Sequence, residues 1–189
     1  MVDRRGFIVV GAAAGATALL PGCGGGDDRD EEGIATETGE ESSSAAAADV
    51  GLLNRVLEAE RELAAAYADA VAPAMRGGRW TAVERLLTQE RDHVDALVEA
   101  IGQLGAAPAR RPGRYDFGAA RTAAGALALA VHLENRAIAA YLDALPRLTS
   151  PDLRGTAASM LTSDAEHLVV LRRELGEDPV PSAFAGGAG

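Results

Sequence analysis

Residues 57–67 read LEAERELAAAY and residues 89–97 read QERDHVDAL; the same residue types return at 133–141, LENRAIAAY, and at 163–171, SDAEHLVVL. Four positions repeat at one offset. Glu60, Tyr67, Glu90 and His93 are followed 74 residues later by Glu134, Tyr141, Asp164 and His167. Around each motif apolar residues recur at helical spacing, and the charged residues interrupt the apolar stripe rather than lying opposite it. The first stripe is Leu53, Val56, Leu57, Leu63, Tyr67, Val71 with Glu60 inside it, whereas Glu58 and Glu62 fall on the other side. Glu90 and His93 interrupt the second stripe, Glu134 the third, and Asp164 with His167 the fourth. Six ionisable side chains therefore occupy core positions.

Working outward from the motifs, the pattern predicts four helices, at about 49–72, 79–104, 119–148 and 151–175. Pro73 with Gly77-Gly78 closes the first, Gly105 with Pro108 the second, and Pro146 through Pro151 the third. Ser150 is expected to cap the fourth helix, with Pro151 in its first turn. The segment GAAPARRPGRYDFG after helix two has no regular pattern. Fully extended it covers about 46 Å, against about 39 Å for a 26-residue helix, so it can return along the bundle. Short, long and short connectors fit two antiparallel hairpins joined by one crossover. Glu60 lies about 12 residues from the end of helix one and Glu90 about 11 from the start of helix two, which sets both at one height. The expected fold is an all-α antiparallel four-helix bundle over 49–176, with six ligands meeting at its centre.

Four buried carboxylates without partners would cost several kcal/mol each, and the chain has no lysine to pair with them. Two divalent cations supply the missing positive charge. Oxygen and imidazole ligands suit iron or manganese, and zinc is also compatible. Tyr67 and Tyr141, two turns past Glu60 and Glu134, are expected to pack in the core with a hydroxyl bonded to an opposite carboxylate. His132 lies off the ligand face and is expected at the surface, and Trp80 is expected to be a packing anchor.

A Glu on each of two helices with Glu-x-x-His on the other two resembles the ferritin-like di-iron and di-manganese carboxylate proteins, in particular the exported ferritin-like domain proteins of bacteria. The resemblance implies a metal site at Glu60, Glu90, His93, Glu134, Asp164 and His167. It covers the whole bundle and the trailing GEDPVPSAF segment. One residue departs from it: Asp164 stands where the family usually has Glu, at the carboxylate that usually bridges the metals. The function implied is a di-iron oxidoreductase acting on oxygen, peroxide or Fe(II) with an external electron donor; the alternative is a non-catalytic metal-binding or interaction bundle of the cell envelope.

The N-terminus, MVDRRGFIVVGAAAGATALLPGC, begins with charge and continues in an apolar run from Phe7 to Leu20. At 14 residues that run is too short to span a bilayer, so residues 1–22 are read as a signal peptide. Leu20-Pro21-Gly22-Cys23 resembles the lipobox of bacterial lipoproteins, which implies acylation of Cys23 and a membrane anchor. Arg4-Arg5-Gly6-Phe7 resembles a twin-arginine signal. As the one cysteine in the chain, Cys23 leaves no intrachain disulfide and no thiolate metal site. Residues 23–48 hold almost no large apolar side chains and are expected to be a disordered acidic tether, with residues 177–189 a C-terminal tail.

The net charge of −10 is concentrated in that tether, where Asp27 to Glu41 carries eight acidic residues against one arginine. From Asp49 to Gly176 there are 15 Arg against 17 acidic residues, a net of −2. The folded part therefore lacks the basic face that nucleic acid requires. A lipid and a tether on each subunit suit a monomer or homodimer better than a closed storage cage.

Overall fold

In the computed structural model the described residues are 34–118, 120 and 122–183. The expected signal peptide, Cys23, the start of the tether and the last residues of the tail lie outside them. The described residues form four helices and no strand: α1 at Ile34–Ala66, α2 at Gly78–Gln103, α3 at Ala123–Ala144 and α4 at Pro151–Leu175. Among the described residues no helix is long and apolar enough to cross a membrane.

α1 runs on through a π-helical turn, Tyr67–Val71, and a short turn, Ala72–Ala74, before the chain reverses. The wide turn has a local cause. Pro73 would press its ring on the Asp69 carbonyl in a regular helix, and the Ala72 N–H instead reaches the Tyr67 carbonyl. At the other end α1 begins at Ile34, so residues 34–48 are helical where a disordered tether was expected. Alanine and glutamate favour helix, and extension from a packed helix needs no new nucleus. The added stretch is about 22 Å long.

The helices pair as two hairpins, α1 with α2 and α3 with α4, and α1 also packs along α3. The connection from α2 to α3 is lashed to the outside of α1. Asn54 Oδ1 accepts from the Ala109 N–H at 2.7 Å, Arg61 donates to the Ala109 carbonyl at 2.7 Å, and the Tyr115 hydroxyl donates to Glu58 at 3.3 Å. Positions 54, 58 and 61 share one helix face. This fixes the crossover against α1 and makes α1 and α3 antiparallel.

The helix ends follow the chemistry of their flanks. Ser150 accepts from the Leu153 N–H with Pro151 next to it, as expected. α3 starts at Ala123 instead of 119 because Thr122 caps it, its hydroxyl accepting from the Gly125 N–H at 3.0 Å. α4 ends on Gly176, whose φ of 77° is left-handed and open to glycine, with Arg172 and Arg173 in the last turn. Buried Asp49 binds the α3–α4 turn: it accepts from the Thr149 N–H and hydroxyl, both at 2.8 Å, and from the Ser150 N–H at 3.3 Å.

Two apolar cores fill the bundle. One, around Leu63, Tyr67, Val71, Met75, Val83 and Leu127, lies toward the α1–α2 turn. The other, around Leu53, Leu57, Leu97, Ile101, Leu148 and Met160, lies toward the α3–α4 turn. Between them is a polar layer. Trp80 corrects one expectation: it is 42% exposed and is in neither core. It sits in the first turn of α2, on the side that Val83 and Leu87 share, but it is not part of the core that they enter. His132 is exposed, as expected.

Candidate metal centre

The polar layer consists of Glu60 on α1, Glu90 and His93 on α2, Glu134 on α3, and Asp164 and His167 on α4, all buried. Helical spacing sets the pairs: His93 stands three positions after Glu90 and His167 three after Asp164, so each pair presents both groups to the same side.

His93 points Nδ1 inward, 3.4 Å from Asp164 Oδ1, 3.5 Å from Glu90 Oε2 and 3.8 Å from Glu60 Oε1. His167 does the same on the far side, with Nδ1 2.6 Å from Glu90 Oε1 and 3.2 Å from Glu134 Oε1. The two rings are nearly parallel, 6.1 Å apart between centroids. The ligand atoms fall into two groups, each with its members within 4.8 Å of one another: Glu60, Glu90, His93 and Asp164, and Glu90, Glu134, Asp164 and His167. Glu90 and Asp164 belong to both. Asp164, shorter by a methylene than the residue usual at its position, still reaches both groups.

The tyrosines complete the symmetry. Tyr67 donates to Glu134 Oε1 and Tyr141 to Glu60 Oε1, each at 2.6 Å, so each hairpin's tyrosine reaches the other hairpin's glutamate. The Tyr141 hydroxyl also touches Met160 Sδ at 3.1 Å. Sequence periodicity did not identify two further residues at the layer's edge: His167 Nε2 lies 2.9 Å from Gln89 Oε1 and 3.3 Å from the Ser163 hydroxyl. Both are off the apolar stripes and carry no charge, so nothing in the pattern marked them.

Beyond these contacts the layer is unsatisfied. Glu60 Oε2, both Glu90 oxygens, Glu134 Oε2, both Asp164 oxygens and the Nδ1 atoms of His93 and His167 are buried without a hydrogen-bond partner. Eight orphaned polar atoms aimed at one place are expensive in a folded protein. Each is a Lewis base of the kind that binds a hard or borderline cation.

The electrostatics show the same deficit. Burial and the Asp164 charge hold Glu60 well above the usual carboxylate range. Burial and the Glu90 charge push Glu134 up to about 8, and burial raises Asp164 to about 6. Burial alone would raise Glu90 too, but its contacts with His167 and His93 outweigh it and bring it down to about 2. Burial opposes charge on the histidines, yet the surrounding carboxylates push His93 up to about 12 and His167 up to about 10. Tyr67 and Tyr141 are raised well above the ordinary phenol by burial and by their glutamate partners. In effect, retained protons stand in for missing positive charge. Four ionised carboxylates would match two divalent ions, and the buried cluster fits a di-metal site.

The chain matches the ferritin-like domain family over residues 48–177. Among solved structures, a conserved hypothetical protein (rv2844) of Mycobacterium tuberculosis is similar at 26% identity and a TM-score of 0.66, over 74% of this chain and 99% of that one. A ferritin-like, diiron-carboxylate protein of Bacillus anthracis str. Ames is similar at 22% identity and 0.60, over 69% and 97%. Dps from Listeria monocytogenes is similar at 14% identity and 0.59, over 69% and 95%. The last two likenesses concern the fold alone. No curated protein matches the chain.

Proposed function

This chain belongs to the ferritin-like domain family, and from that premise we propose that it is a di-iron carboxylate protein that oxidises Fe(II) at the expense of oxygen or peroxide. The observation that carries the proposal is the convergence of eight buried, unpartnered ligand atoms in two groups that share Glu90 and Asp164. In this reading Glu60 and His93 would hold one metal and Glu134 and His167 the other, with Glu90 and Asp164 available to both. Iron held there by these six residues would supply one-electron Fe(II)/Fe(III) chemistry at each ion, two electrons in all, which with two protons is what the reduction of peroxide to two waters requires. The name of the Bacillus anthracis neighbour, a diiron-carboxylate protein, supports this choice of metal, as does the oxygen and imidazole ligand set.

The chain's own residues then have defined tasks. Glu60 and Glu134 balance charge and are held by the Tyr141 and Tyr67 hydroxyls, so neither carboxylate can swing freely. The apolar cores above and below exclude water from the layer. The N-terminal features complete the proposal: Cys23 carries the lipid, residues 24–48 hold the bundle off the membrane, and the protein acts outside the cytoplasm after twin-arginine export as a monomer or homodimer.

The test is metal analysis of the purified chain, then stopped-flow absorbance after mixing its anaerobic Fe(II) form with oxygen or peroxide. About two Fe per chain and oxidation faster than in buffer are expected from a two-metal redox site. Bound metal with no faster oxidation would leave a metal-binding bundle and overturn the redox activity.

A further inference from the structure

We propose that Gln89 is a positioning residue that makes the two halves of the centre unequal, so that the His167 half binds its metal tighter than the His93 half. The inference rests on the di-metal reading above and deepens it.

The ligands themselves are nearly symmetric under the 74-residue repeat. The residues behind them are not. Gln89, on α2, places Oε1 2.9 Å from His167 Nε2, and Ser163, on α4, places its hydroxyl 3.3 Å from the same nitrogen. An amide oxygen only accepts, so it keeps a proton on Nε2 and leaves Nδ1, on the side of Glu90 and Glu134, as the nitrogen that would take a metal. A partner on the outer nitrogen of a metal-binding histidine sets both the tautomer and the ring angle.

His93 has no such support: among the described residues none hydrogen-bonds its Nε2. The repeat explains why. Gln89 stands four residues before His93, and its counterpart four residues before His167 is Ser163. A glutamine reaches across to the opposite helix's histidine. The serine is too short to return the contact, and turns to His167 on its own helix. The His93 side chain is also the more open, 11% exposed against 3% for His167. The His93 ring is therefore freer to tilt and closer to water, both of which weaken a metal's hold.

The test is a calorimetric titration of the full metal-free chain with Co(II), read also by the visible absorbance of the bound ion. Wild type is expected to bind in two resolved steps. Gln89→Leu should weaken the tighter step by about 10- to 100-fold and leave the weaker one in place. Gln89→Glu, which keeps an acceptor, should preserve the tight step, and Ser163→Gln should tighten the weak one. Gln89 is exposed, and an unchanged unfolding midpoint of metal-free Gln89→Leu is expected. Two equal steps, or a Gln89→Leu that leaves the tight step unaltered or weakens both steps alike, would overturn this inference while the di-metal reading stands. No Co(II) binding at all would overturn both.

Discussion

The Tyr67 hydroxyl donates to Glu134 Oε1 across the bundle at 2.6 Å, with both side chains fully buried. The bond ties the first hairpin to the second from within the apolar core. Tyr67→Phe keeps the ring and removes the donor, leaving a buried carboxyl oxygen without its partner. Metal-free protein should lose about 1–3 kcal/mol of stability, read by urea unfolding. An unchanged midpoint would mean that this hydroxyl holds nothing.

Shared and unshared ligands should behave differently. Asp164 belongs to both ligand groups and Glu134 to one. Asp164→Ala is expected to abolish binding of both metals, whereas Glu134→Ala should retain about one per chain. Elemental analysis of the two variants side by side decides it; equal losses would contradict the shared role of Asp164.

Stability should respond to pH in opposite directions with and without metal. In the folded metal-free chain Asp164 keeps its proton to about 6 and Glu134 to about 8, whereas in the unfolded chain both lose it near 4. The folded form thus binds more protons between about pH 4 and 8, and its stability must fall as pH rises through that window. His93 and His167, held protonated to about 12 and about 10, add to the same loss above about pH 6.5. Glu90, lowered to about 2, acts the other way but only below that window. Metal needs the deprotonated ligands, so the stabilisation it adds should grow from pH 5.5 to pH 8. Thermal melts of chelated and metal-loaded protein at about those two pH values measure both slopes.

At the far end of the bundle, Asp49→Ala should cost about 1–2 kcal/mol, because it strips three hydrogen bonds from the α3–α4 turn. Trp80→Ala should fall within about 0.5 kcal/mol of wild type, since the ring is largely outside the core. Chemical denaturation of both variants tests the pair.

Much of the layer was legible in the sequence, because a charged residue on an apolar stripe is conspicuous and a repeat of four such positions more so. The hydroxyl partners of the tyrosines followed from the same pattern. What periodicity could not supply were contacts made by polar residues on polar faces. Asn54, Glu58 and Arg61 look like an ordinary solvated stripe until the crossover is laid on them, and Gln89 looks like any exposed glutamine. The start of α1 was misjudged for a different reason: sparse apolar residues argue against a packed core but do not prevent a helix from growing out of one. Trp80 shares a side of α2 with Val83 and Leu87, but periodicity gives the direction of a side chain and not how far the core extends along the helix.

Each hairpin brings three ligands, two of them carboxylates: Glu60, Glu90 and His93 from the first, Glu134, Asp164 and His167 from the second. Both ligand groups draw on both hairpins, so a cation that arrives before the halves meet finds neither group complete. Once the halves have closed, the cavity is walled by two dry cores. Neither hairpin is a metal site by itself: the docking of the two halves makes both ligand groups at once.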